Sequence, residues 1–133
     1  MLGAIIGDIV GSVFEFNNTK TTDFQLFCEF SNFTDDTVMT ISTADWVLNN
    51  QQGLIRTMRQ YGEEYPSVGY GDSFHRWLRS REAEPQPYNS WGNGSAMRVS
   101  PIGFAFEDIE TVLEVAKQTA YVTHNHPEGI KGA

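Results

Sequence analysis

Residues 34–49 read Thr34-Asp35-Asp36-Thr37-Val38-Met39-Thr40-Ile41-Ser42-Thr43-Ala44-Asp45-Trp46-Val47-Leu48-Asn49, and their interpretation decides the fold. A hydroxyl and two carboxylates stand where a polar loop gives way to an apolar segment. Thr37, Ile41, Ala44 and Leu48 then recur at helical intervals, with Val38 and Val47 widening the stripe. The pattern predicts a helix from Thr34 to about Asn49, stopped by Asn49, Asn50 and Gly53. As a cap, Thr34 or Asp35 accepts from orphan backbone N–H groups, and carboxylates in the first turn favour the positive end of the helix dipole. Capping needs only one acidic group, and two adjacent carboxylates repel each other. A hard divalent cation such as Mg2+, Mn2+ or Ca2+ would relieve that repulsion. Three oxygen-bearing side chains fill only part of an octahedron, and Asp8 and Glu15 are the nearest further candidates. Helix cap and half of a metal site are both open readings of this stretch.

Upstream, Ile5, Ile6, Ile9 and Val13 predict a helix over residues 2–14. Gly3, Gly7 and Gly11 share one of its faces. Each glycine costs roughly 1 kcal/mol inside a helix, so three of them predict close approach by another backbone or a ligand. Asp8, Ser12 and Glu15 share a polar edge. Residues 16–33 read as a loop with a short turn, tethered by Phe24, Phe27, Phe30 and Phe33. Loops of this length inside a domain often act as lids, the plain alternative being a packed surface crossing.

Downstream, helices are predicted over 54–64, with Ile55, Met58 and Tyr61 apolar, and over 73–82, burying Phe74, Trp77 and Leu78. A further helix over 96–106 contains Pro101, which requires a kink or a break into two. The segment 108–123 has Asp108 as its cap and Ile109, Val112, Leu113, Ala116 and Ala120 as its stripe. A last helix begins at Pro127. No strand alternation, repeat or interdomain linker is visible, so the fold class is all-α.

Composition narrows the function classes. The 133 residues are 40% hydrophobic and 13% aromatic, enough to bury a core. The net charge of -8, without a Lys/Arg stripe, argues against bulk nucleic-acid binding. The densest basic group, Arg76, Arg79 and Arg81, is followed at once by Glu82 and Glu84. No uninterrupted apolar run of about 18 residues exists to span a membrane. The single cysteine, Cys28, and an N-terminal apolar stretch without a basic leader point to a reducing cytoplasm.

Two glycine-rich loops, Gly69-Tyr70-Gly71 and Ser90-Trp91-Gly92-Asn93-Gly94-Ser95, could admit a phosphate to backbone N–H groups, with Tyr70 or Trp91 stacking on a base; they are also ordinary turns. His124 and His126 read as anion contacts or caps rather than zinc ligands, since no CxxC partner exists. Ser12 and Cys28 have no recognisable base, which leaves nucleophilic catalysis without support.

In order and spacing these pieces resemble the ADP-ribosylglycohydrolases, the group of dinitrogenase-reductase-activating glycohydrolases and ADP-ribosyl-acceptor hydrolases. The matching stretches are Gly3 to Ser12 with Glu15, Phe33 to Thr37, Gly69 to Gly71, Ser90 to Arg98, and Thr123-His124 through Gly132-Ala133. The resemblance implies an all-helical fold with a dinuclear Mg2+ or Mn2+ centre in a cleft for ADP-ribose. It makes Thr34, Asp35 and Asp36 metal ligands, with Glu15, Asp35 and Asp36 the catalytic carboxylates. It lines the ADP-ribose groove with Gly69, Tyr70, Gly71, Ser90, Trp91, Gly92 and Asn93, sets Trp91 against adenine, and turns His124 toward the phosphates. The implied activity is hydrolysis of the glycosidic bond joining ADP-ribose to a protein or small-molecule acceptor. Family members are about double this length, and their second metal motif, an Asp-x-Asp-Thr type segment near the C-terminus, has no counterpart here. Residues 1–133 are therefore expected to form the N-terminal portion of a single family domain, its C-terminal half missing. Because two ions need carboxylates on both sides, such a chain should bind metal poorly and turn over weakly or not at all. The alternative is a truncated, non-catalytic ADP-ribose-binding module. Apolar surface left uncovered by truncation would favour homo-oligomers.

Overall fold

The computed structural model describes residues 1–133. Eight α-helices and one 3-10 turn follow each other without a strand, as the periodicity predicts. They are α1 (Leu2–Gly11), the 3-10 turn Ser12–Phe14, α2 (Asp35–Leu48), α3 (Leu54–Glu64), α4 (Asp72–Leu78), α5 (Gly94–Met97), α6 (Ser100–Ala105), α7 (Ile109–Tyr121) and α8 (Pro127–Lys131). No helix is long and apolar enough to cross a membrane.

The organising element is α2, which packs against α1, α3, α5 and α6. That central position corrects the predicted stripe. Thr37, Val38 and Ala44 are buried as expected, but Ile41 is 37% and Leu48 82% exposed, while Met39, Thr40, Ser42, Thr43 and Trp46 are buried. A helix enclosed on several sides does not declare its orientation through one apolar line. Its inward hydroxyls are admitted because two of them find backbone acceptors: Thr43 donates to the Met39 carbonyl at 2.9 Å, and Thr40 to Met97 of α5 at 3.2 Å.

Val38, Met39 and Trp46 form one core with Leu54 and Met58 of α3, Phe74, Trp77 and Leu78 of α4, Ile102 of α6, and Val115 and Ala116 of α7. Helix α3 has the expected bounds and meets α4 closely, since a Cβ on Gly62 would stand 2.9 Å from Leu78 Cδ1. Helix α4 ends at Leu78, not Glu82. Trp77 Nε1 donates to the Pro85 carbonyl at 3.2 Å, and the Arg59 guanidinium draws in the carbonyls of Ser80 and Glu82 at 2.7 and 2.8 Å, which takes this segment out of helical register. Pro101 resolves its ambiguity as a break, sitting in the first turn of α6 just after α5 has ended. In α7 the Asp108 cap forms, accepting from Thr111 N at 2.8 Å. The buried face there is Val115, Ala116, Thr119 and Ala120, whereas Ile109 and Leu113 are exposed.

Two N-terminal expectations change. Helix α1 stops at Gly11 and tightens into the 3-10 turn, and none of its residues is buried. A Cβ on Gly3, Gly7 or Gly11 would meet nothing within 4 Å, so no backbone of this chain approaches that face. Of the aromatic tethers, Phe33 packs edge-on against Tyr65 and Phe24 against Phe14, with centroids 5.8 and 5.3 Å apart; Phe27 and Phe30 project into solvent.

Candidate active site

The N-terminus of α2 is built by a long-range capping arrangement. Thr34 is the N-cap, and its hydroxyl accepts from Asp36 N at 3.3 Å while donating to Asp8 Oδ1 at 2.6 Å. Asp8 Oδ2 accepts from Thr34 N at 2.8 Å, from Thr37 N at 3.2 Å and from the Thr37 hydroxyl. The anion that meets the positive end of the helix is thus Asp8 from α1, not Asp35 or Asp36. Relieved of capping, those two carboxylates diverge, because successive residues of a helix point about 100° apart.

Asp35 enters a cleft of about 270 Å³ lined by Gly71, Tyr88, Gly92, Asn93, Arg98 and His124. Asp36 enters a second cleft of about 430 Å³, with Gly7, Asp8, Gly11, Glu15 and Thr34 on its walls. Met97 lines both. Burial, and then the Asp36 charge, push Asp35 up to about 7, with Glu15 and Asp8 adding to the effect. Asp36 is also raised, by burial and by Asp8. Every neighbouring charge acting on this pair is negative. The donor set is hard oxygen and short of positive charge, which fits a divalent cation such as Mg2+ or Mn2+ at Asp35, Asp36 and Thr34. It fits only in part, since nowhere in the chain do three His, Cys, Asp or Glu side chains come together to hold an ion.

The glycine loops take up different positions. Asp35 N donates to the Val68 carbonyl at 2.9 Å, which pins the segment carrying Gly69 to Gly71 against the helix N-terminus. Gly69 has φ of 97°, and a Cβ there would lie 3.9 Å from Asp35 Oδ1. Gly71 lines the Asp35 cleft. The Tyr70 ring instead packs edge-on against Phe74, 5.7 Å between centroids, and burial raises its hydroxyl to about 12. Gly92 and Asn93 line the same cleft as Asp35, and Ser90 Oγ steadies the loop by accepting from Gly92 N at 3.3 Å. Trp91 stands outside both clefts, 76% exposed and tilted beside His126 at 6.5 Å. Glu15 shares the Asp36 cleft and not the Asp35 one.

Beneath the Gly92 to Gly94 loop lies His124, 2% exposed and held near 4 by burial and by the Arg98 charge. Arg98 itself is 1% exposed, has no carboxylate partner, and is lowered to about 10 by burial. Arg98, Tyr88 and Thr123 are contributions to this site that sequence reasoning did not single out. The available signal was a lone cation in the otherwise uncharged stretch Ala96-Met97-Arg98-Val99. Asp8 had been a possible ligand; its two oxygens are already engaged by four donors.

The sequence that builds this helical arrangement corresponds to a known family. Residues 1–133 match the sequence model of the ADP-ribosylglycohydrolases, and the chain belongs to that family. Among its relatives it is similar to the ADP-ribosylhydrolase ARH3 of Xenopus tropicalis, at 29% identity over 161 residues, of Gallus gallus, at 28% over 168, and of Homo sapiens, at 27% over 165. Each match takes in 100% of this chain and 46% of the relative. The chain therefore spans about half the length of the curated relatives it matches.

Proposed function

We propose that the chain serves hydrolysis of the glycosidic bond between ADP-ribose and an acceptor, with Thr34, Asp35 and Asp36 presenting one side of a dinuclear Mg2+ or Mn2+ centre. The observation that carries this reading is the divergence of Asp35 and Asp36 into two clefts, with every charge that shifts the pair negative. Family membership and the relatives' name, ADP-ribosylhydrolase, support the substrate class. Bound there, the ions would supply Lewis acidity toward ribose hydroxyls and water. The chain's own residues then have separable tasks. Gly71, Gly92, Asn93 and His124 border the space for ADP-ribose beside Asp35. Asp35, Asp36 and Glu15 provide the carboxylates that take up a proton as positive charge develops at ribose C1. The substrate is an ADP-ribosylated protein or small molecule, and the net charge of -8 suits neither bulk nucleic acid nor anionic lipid. The uncovered faces of α1 and α7, with Leu2, Ile6, Ile109 and Leu113 exposed, favour association between copies. The lone Cys28, which forms no disulfide, suits a cytoplasmic setting.

A second reading, a non-catalytic ADP-ribose-binding module, is favoured by one fact: no three ligating side chains converge within these residues. Residues 1–133 should be assayed for ADP-ribose release from ADP-ribosylated protein with Mg2+ or Mn2+, alongside calorimetry with free ADP-ribose. Release lost in Asp35→Asn and Asp36→Asn supports the hydrolase. Binding without release supports the module, and release that survives both substitutions defeats the reading of Asp35 and Asp36.

A further inference from the structure

We infer that Arg98 and Thr123 lock His124 into the tautomer protonated at Nε2, so that the ring presents a fixed hydrogen-bond donor to the cleft entered by Asp35. The argument is a count of donors and acceptors in a dry site. Arg98 Nη2 donates to the Thr119 carbonyl at 2.8 Å and to Thr123 Oγ1 at 2.9 Å. Thr123 is fully buried, and its hydroxyl has one other partner, His124 Nδ1, at 2.7 Å. A guanidinium only donates, so the hydroxyl hydrogen has a single acceptor available, the Nδ1 lone pair. Turning that hydrogen away would leave it buried and unpaired, at a cost of about 1–3 kcal/mol. Nδ1 is therefore bare, and the neutral ring carries its proton at Nε2.

Nε2 is buried and has no hydrogen-bond partner within the chain; the Gly92 backbone lies beside the ring without closing a bond of good geometry. Space is kept open next to it, because a Cβ on Gly94 would come within 3.5 Å of Nε2 and 3.2 Å of Cε1. Arg98 Nε is likewise buried and unpartnered, and Arg98 lines the same cleft. Two donors waiting in one cavity select an oxygen acceptor. Arg98 and Thr123 are thus positioning residues acting through His124. The assignment of the tautomer stands on this chain's geometry alone. Only the identity of the acceptor, an oxygen of ADP-ribose, rests on the function proposed above.

Long-range 1H–15N NMR of the full chain near neutral pH tests the lock directly. The wild type should show one His124 nitrogen protonated and assigned to Nε2, with Nδ1 far downfield as a bare ring nitrogen. Thr123→Val should mix the tautomers, and Thr123→Ser should restore the wild-type pattern. A proton on Nδ1 in the wild type, or an unchanged pattern in Thr123→Val, would overturn the inference; the wild-type spectrum alone suffices if the valine variant does not fold. In calorimetry with ADP-ribose, Thr123→Val should bind about tenfold more weakly, the worth of one hydrogen bond, and Thr123→Ser normally. Equal affinity of wild type and Thr123→Val would overturn the positioning role. Absence of binding by the wild type would count against the proposed function and leave the tautomer result standing.

Discussion

The two clefts beside the N-terminus of α2 are built on opposite principles. On the Asp35 side, the walls belong to the core: Arg98 and His124 are buried, each hydrogen-bonded from the end of α7, and the loop above them is stitched by Ser90. On the Asp36 side, one wall is α1, a helix without a buried residue that is tied to α2 through Asp8. One cleft is held by packing and the other by a single carboxylate. The difference teaches that ligand-facing donors can be preorganised by the core, whereas a cluster of acids depends on the few polar bonds that dock it.

The largest effect should come from filling the packed side. A Cβ on Gly129 would collide with the Ser90 carbonyl and lie 3.1 Å from the His124 ring, so Gly129→Ala should destabilise by about 2–3 kcal/mol in urea denaturation. Breaking the other side should act locally. Asp8→Ala removes the acceptor of four hydrogen bonds, and hydrogen exchange should show α1 losing protection worth about 1–2 kcal/mol while α3 and α7 keep theirs.

A pH experiment sharpens the electrostatic contrast. Asp35 is raised from 3.8 to about 7, so the fold favours its protonated form; that contribution is complete below about pH 4 and is lost as pH rises through 7. With chelator present, Asp35→Asn should leave the melting temperature unchanged at pH 4 and raise it at pH 8, a stabilisation on the order of 1 kcal/mol once solvent screening of a partly exposed group is allowed for. His124 has the opposite sign. Its value is lowered to about 4, so its neutral form is favoured and stability falls as pH drops from about 6.5 toward 4. The smallest effect belongs to the open glycine face, where Gly7→Ala meets nothing within 4 Å and should be neutral or stabilising by at most about 1 kcal/mol in thermal melts.

Local signals in the sequence carried most of the helix positions. Leu54 to Glu64, the Asp108 cap, the break at Pro101 and the start at Pro127 all follow from the chemistry of residues within a turn of each other. The facing of α2 and α7 did not. Ile41, Leu48, Ile109 and Leu113 fit an apolar stripe and yet lie outside, since burial depends on which neighbours arrive from elsewhere in the chain. The same limit applied to the site. Asp35 and Asp36 stood out as a pair, but which anion caps the helix depends on Asp8, 26 residues before Thr34. The partners of His124 were equally hidden, because Arg98 reaches Thr123 across 25 residues.

Asp35 and Asp36 sit in the first turn of α2, and Thr34 and Thr37, both held by Asp8, stand on either side of them. The acid pair and the outer helix are thus moored at one point: a change that frees Asp8 detaches α1 and uncaps the turn carrying both acids together.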